Sequence, residues 1–245
     1  MKLNEKHILM ILLLLLVLLV VSCKKADLPD ITADEVIEKL YYQSSQELRA
    51  DGVSQATLIA RIPSDATKKT ITFKTNSGSF YGTNGATSIN IIAFKGEARA
   101  MLIVGRIEQD VVISAEIAGY QKTLEINLKR AFADTLIGET STLVVKKDGS
   151  QRADLKAILS RDVGKVSIGT PVIFRALQSD ALGNPVQVGR FLGIENSKTD
   201  ENGIAKITFS ADTGNVTVGA VITIEMETDK DDGSKLVYRI HLNVI

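Results

Sequence analysis

The chain has 245 residues, and its 29 basic and 29 acidic side chains leave a formal net charge of zero. That balance excludes the strongly basic face that nucleic-acid binding requires. A single cysteine excludes an internal disulfide. No Trp and 5% aromatic content make the core aliphatic, and abundant Val, Ile and Thr favour strands.

The first element is a leader. Lys2 and Lys6 precede the fourteen consecutive apolar residues from Ile8 to Val21. A membrane span takes about 20 such residues, whereas this length suits the apolar region of a signal peptide. The run ends abruptly at Ser22-Cys23-Lys24-Lys25. A small residue followed by the sole cysteine resembles the lipobox of bacterial lipoproteins. The resemblance implies cleavage between Ser22 and Cys23, acylation of Cys23, and a membrane partner held through N-terminal acyl chains. The other reading is an uncleaved signal anchor with an incidental cysteine, against which the short run and Lys24-Lys25 weigh. One acyl chain binds a membrane only marginally, at about 0.8 kcal/mol per buried CH₂, whereas two or three anchor it essentially permanently. Lys24 in place of Asp resembles lipoproteins sent to the outer membrane, so the expected location is the bacterial cell envelope, lipid-anchored. Without residues 1–22 the chain keeps 223 residues, 27 of them basic and 28 acidic.

Residues 23–47 are expected to form the lipidated cysteine and a tether. Within them Thr32-Ala33-Asp34-Glu35, followed by Val36, Ile37 and Leu40, has capping-box spacing. The same residues fit extended chain leading into a first strand equally well.

From Leu48 the apolar period becomes two. Ala56, Leu58, Ala60 and Ile62 form one row, then Ile71, Phe73 and Thr75, then Ile89, Ile91 and Ala93. Ala98, Ala100, Leu102 and Val104 follow, then Val111, Ile113, Ala115 and Ile117, then Leu124, Ile126 and Leu128. Pro63-Ser64-Asp65, Asn76-Ser77-Gly78 and Gly119 punctuate the rows. Each row places its side chains on one sheet face, and short strands at this spacing predict a sandwich or barrel.

The pattern recurs in Ala153, Leu155, Ala157 and Leu159, in Val172, Phe174 and Ala176, and in Ala205, Ile207 and Phe209. Ile222, Ile224 and Met226 continue it, and Leu236, Tyr238, Ile240, Leu242 and Val244 close the chain. Ile71-Thr72-Phe73-Lys74 matches Val172-Ile173-Phe174-Arg175, Gly78-Ser79-Phe80 matches Gly189-Arg190-Phe191, and residues 96–102 match 203–209. The longer spacing in the second copy predicts a loop insertion around Ser179 to Gln187. Two tandem units are expected, 48–130 and 137–245.

Ala50-Asp51-Gly52-Val53-Ser54-Gln55-Ala56-Thr57-Leu58 resembles the opening of bacterial immunoglobulin-like domains of the invasin and intimin type. Phe73 followed by Gly78-Ser79-Phe80 resembles a middle strand of that family. Lys198-Thr199-Asp200-Glu201-Asn202-Gly203-Ile204-Ala205 resembles its T-D-x-N-G-x-A turn, where the first copy has Ala93-Phe94-Lys95-Gly96. The resemblance implies an all-β fold of two tandem immunoglobulin-like antiparallel β-sandwiches. The residues agree, since each copy supplies the roughly 100 residues that such a sandwich takes. Asp200 is expected to accept N–H groups two residues on, Gly203 to take a positive φ, and Asp231-Asp232-Gly233 to turn the last hairpin.

No catalytic constellation is expected. The histidines are His7, in the leader, and His241, which alternates with Ile240 and Leu242 and so faces solvent. No cofactor and no metal site is expected. The acidic loops at Asp200, Glu201, Asp229, Asp231 and Asp232 lack EF-hand spacing and read as turn-forming carboxylates rather than calcium ligands. Tyr41, Tyr42, Tyr81 and Tyr120 could stack a sugar but read more simply as packing and turn residues. The expected role is therefore a non-enzymatic, membrane-anchored envelope lipoprotein acting in adhesion, spacing or protein interaction, its partner a protein or a surface glycan. The alternative is an accessory glycan-binding lipoprotein of an outer-membrane uptake system.

Overall fold

A computed structural model describes residues 32–194 and 197–245. The leader, including Ser22, Cys23 and His7, lies outside the described residues. One short helix, α1 (Ala33–Val36), precedes a chain of strands. The first half carries β1 (Lys39–Gln43), β2 (Gln55–Arg61), β3 (Thr70–Thr75), β4 (Ser79–Phe80), β5 (Ser88–Ile92), β6 (Glu97–Ile103), β7 (Asp110–Ile117) and β8 (Tyr120–Asn127). The second carries β9 (Thr135–Thr140), β10 (Val144–Val145), β11 (Ala153–Ser160), β12 (Ile173–Ser179), β13 (Pro185–Gln187), β14 (Arg190–Leu192), β15 (Ile204–Ser210), β16 (Val221–Asp229) and β17 (Lys235–Val244).

Four sheets result. In the first half β1-β2-β6-β4 faces β5-β3-β7-β8, and in the second β14-β15-β11-β9 faces β10-β17-β16-β12-β13. The rows read from the sequence are the inner faces. Ala56, Leu58, Ala60, Ile71, Phe73, Leu102 and Ile113 are at most 1% exposed, and so are Ala153, Leu155, Ala157, Phe209, Ile224 and Leu242. Two separate apolar clusters form, one from Ile37 to Leu128 and one from Ala133 to Val244. Burying a large aliphatic side chain contributes about 1.5–3 kcal/mol, so these rows supply most of the drive to fold.

Two expectations change, the extent of the tether and the start of the second unit. The 23–47 segment is not tether throughout: β1 pairs with β2, Tyr41 opposite Ile59, and Ile37 and Leu40 join the first core. Both readings of Thr32–Leu40 are realised in sequence. The Glu35 carboxylate accepts the Thr32 N–H at 2.7 Å to start one helical turn, and extended chain follows. The second core begins at Ala133 and its first strand at Thr135, a few residues before the boundary expected at 137.

The sheets are antiparallel as expected, apart from one two-residue edge pairing in which β10 runs parallel to β17. The chain leaves β9 and crosses to the facing sheet through Ser141-Thr142. There Thr140 Oγ1 donates to the Thr142 carbonyl at 2.8 Å, and Thr142 Oγ1 to the Val144 carbonyl at 3.1 Å. The first half makes the same crossing more briefly, with Arg49 bridged in parallel to Lys129.

The expected insertion at 179–187 is the β12–β13 hairpin, turned by Asp180 Oδ1 accepting the Leu182 and Asn184 N–H groups at 2.8 Å each. The first half fills the same sheet position with β5, which arrives after β4 instead of before it.

Candidate functional site at the junction between the sandwiches

The residues of the Ala50–Leu58 phrase build a loop, and that loop is where the second sandwich docks. Asp51 is 5% exposed. Its Oδ1 accepts the N–H groups of Val53 and Ser54 at 2.9 and 2.7 Å, and its Oδ2 accepts the Ser54 hydroxyl at 2.7 Å. The carboxylate is thus consumed in fixing the loop, which leaves the loop's main-chain oxygens facing outward.

Residues 164–168, in the connection between β11 and β12, meet them. The Lys165 N–H donates to the Asp51 carbonyl at 2.9 Å, the Ser167 N–H to the Ala131 carbonyl at 3.0 Å, and the Ile168 N–H to the Arg106 carbonyl at 2.8 Å. Ser167 is fully buried. Its hydroxyl donates to the Ala50 carbonyl at 2.8 Å and accepts the Ala131 N–H at 2.9 Å. Arg106 reaches across to the carbonyls of Val166, at 2.7 Å, and Glu201. Gly164 has φ of +75°, and a Cβ there would stand 2.7 Å from Val53 Cγ2 and 3.1 Å from Asp51 Cβ, so the approach needs glycine.

Beside this seam lies an open cleft lined by Ser44, Gln46, Arg49, Val53, Arg161 and Val163. Arg49 pairs with Asp231, from the β16–β17 turn, at 2.6 Å and with Glu47 at 3.0 Å; Arg161 lies 4.0 Å from the same Asp231.

The four loop aspartates each have a structural partner, and Glu201 is held through its main-chain carbonyl. Asp200 Oδ1 accepts the Asn202 and Ile204 N–H groups at 2.8 and 3.0 Å, and Gly203 has φ of +79°, as the turn requires. Asp229 pairs with Lys235, and Asp231 with Arg49. Asp232 Oδ1 accepts the Ser234 N–H and hydroxyl, and these bonds hold its carboxyl below the usual Asp range. Among the described residues no three His, Cys, Asp or Glu side chains gather as metal ligands.

His241 faces solvent on β17, with the Thr223 hydroxyl 3.2 Å from its Nδ1. The tyrosines are dispersed. Tyr41 sits on β1 with Lys39 Nζ 5.1 Å from its ring centre, Tyr42 follows it, Tyr81 succeeds β4 and Tyr120 opens β8. The structure brings Asp51 together with Ser167 and Arg106. The sequence reading quoted the first only within the Ala50–Leu58 phrase, with no role for it, and missed the other two, since a lone Ser and a lone Arg in loops carry no pattern.

No family model and no curated protein matches the chain. Solved structures do. The Yersinia pseudotuberculosis adhesin InvE is similar at 17% identity with a TM-score of 0.60, over 84% of this chain and 58% of that one. Invasin, described as a bacterial integrin-binding protein, is similar at 18% identity with a TM-score of 0.52, over 84% of this chain and 39% of that one. The chain therefore spans little more than half of one relative and well under half of the other. The likeness establishes the fold as tandem immunoglobulin-like sandwiches of the type found in these adhesins.

Proposed function

We infer that the protein is a non-enzymatic cell-envelope lipoprotein, anchored through acylated Cys23, whose two sandwiches act as an adhesion, spacer or protein-interaction module. The observation that carries this reading is the seam between the sandwiches. Main-chain hydrogen bonds, a buried serine and a bridging arginine couple two separate cores into one presenting unit. Interfaces between domains of one chain are commonly polar and permit motion. Here the buried hydroxyl and the main-chain bonds across the seam would each be left unpaired by separation, which favours holding a surface at a fixed attitude. The likeness in fold to an adhesin and to an integrin-binding protein supports a binding role.

The anchor reading rests on the leader, Ser22 and Cys23. Between Cys23 and the first core residue, Ile37, there is room for only a short spacer, which would hold the first sandwich close to the membrane.

Two measurements test the reading. Cys23→Ser is expected to abolish fatty-acid labelling and release the protein from the membrane fraction, and unchanged retention would remove the anchor. Envelope extracts passed over the immobilised chain are expected to yield a protein partner. Retention on a polysaccharide column without a protein partner would favour glycan binding for an uptake system instead.

A further inference from the structure

Four sheets leave eight edge strands, and seven carry some protection against pairing with another chain. Strands β4, β10 and β14 are two or three residues long, and β13 is three residues with Pro185. Strand β1 begins on Lys39, β9 carries Glu139, and β8 is covered by the segment around α1, where Lys122 Nζ reaches the carbonyls of Ile37 and Glu38. The eighth is β5, Ser88-Ile89-Asn90-Ile91-Ile92. It has five residues, no charge and no proline, and among the described residues pairs only with β3.

We propose that β5 pairs antiparallel with β5 of a second copy across a two-fold axis at Asn90. The bonds Thr75 N–H to Thr87 carbonyl and Ala93 N–H to Lys69 carbonyl turn the odd-numbered residues toward β3. By alternation, the N–H and C=O groups of Ser88, Asn90 and Ile92 point to the free edge.

A two-fold axis at Asn90 sets Asn90 opposite Asn90 and Ser88 opposite Ile92, all in the hydrogen-bonded positions. On the inner face it sets Ile89 opposite Ile91. Those two side chains are only partly buried in the isolated chain, where they pack on the rim of the first core, and the second copy's pair would cover them. On the outer face Ile92 is 74% exposed, so pairing gives a cover to an isoleucine that has none. Asn90 Oδ1 already accepts the Thr72 hydroxyl at 2.8 Å, which orients its amide and leaves the NH₂ donors for the facing copy. An uncharged strand on a chain of zero formal net charge meets its own image without repulsion, which favours a second copy over a charged peptide. One paired edge buries less than the roughly 1,200 Å² of a standard interface, so the dimer is of the weak, reversible class.

Sedimentation equilibrium of the full chain in non-ionic detergent, up to about 100 µM, should show a monomer–dimer equilibrium. Asn90→Asp and Asn90→Lys each place like charges across the axis and should each raise the dissociation constant at least about tenfold. An equimolar mixture of the two should recover the dimer. Should either variant lower the unfolding midpoint, Ile92→Lys at the neighbouring exposed position must give the same weakening. A monomer at every concentration, or a dimer indifferent to both charges and to mixing, overturns the pairing.

Discussion

Asp51 shows how a short phrase becomes geometry. Its two oxygens accept three hydrogen bonds from Val53 and Ser54, so one buried carboxylate sets the course of the loop on which the second sandwich rests. Asp51→Ala strands two part-buried N–H donors, which together cost about the 1–3 kcal/mol of one fully buried unsatisfied group. The expected outcome is a loss in that range by urea unfolding, with Asp51→Asn losing less. The glycines shared by the two copies act through close approach. Gly96 and Gly203 both have φ of +79°, and their Cβ positions would fall 2.8 Å from the Ile62 carbonyl and 2.6 Å from the Leu159 carbonyl. The copies differ in the residue before the shared glycine. Lys95 sits at φ of +50°, and in the β7–β8 turn Ala118 sits at +54°, both in a region that Asn occupies at less cost. Lys95→Asn and Ala118→Asn should each raise stability by up to about 1 kcal/mol, seen as a higher urea midpoint at unchanged slope.

At the scale of elements, legibility in the sequence followed the number of buried side chains per strand. Strands β2, β6, β7, β11, β15 and β16 each bury three or more residues, and alternation exposed them at once. Strand β1 buries only Leu40, and in β9 Leu136 is buried while the adjacent Ile137 is 52% exposed, so neither presents a row. Both are outer strands whose place is set by pairing rather than by apolar pattern. The solvent face of β12, β16 and β17 holds Arg175 between Glu225, at 3.2 Å, and Glu227, at 2.7 Å, with Arg239 on Glu225 at 2.7 Å. The Arg175 hydrogen bond, with Lys235 adding less, holds the Glu227 carboxyl below the usual Glu range. A depressed carboxylate contributes stability that is complete above the ordinary value, about 4.3, and is lost as pH falls through the lower folded value. Stability measured against pH should therefore decline below about 4.3, and Glu227→Gln should flatten that acid limb by lowering the neutral plateau by the same small amount.

For the whole molecule, the two cores share no buried apolar cluster, so whatever couples them runs through the seam. The sequence hid this part because the seam is made of main-chain groups, one serine and one arginine, none of which has a periodicity. The opening phrase at Ala50–Leu58 lies in it, but the sequence carried that phrase as a family resemblance and not as a junction. Ser167 is the place to cut it. Its hydroxyl is the single group that answers both the Ala50 carbonyl and the Ala131 N–H, and all three residues are fully buried. Ser167→Ala leaves a donor and an acceptor without partners and without water, at about 1–3 kcal/mol each, while removing almost no apolar contact. The loss falls on the seam, where Ala50 forms the edge of the first core and Ala131 lies outside both apolar clusters. Ser167→Ala should then separate a coupled unfolding transition into two, one per sandwich, and broaden the distance distribution in small-angle scattering. If the variant unfolds as the parent does and scatters identically, the sandwiches are held at their fixed attitude by something other than this serine, and the presenting-unit reading loses its support.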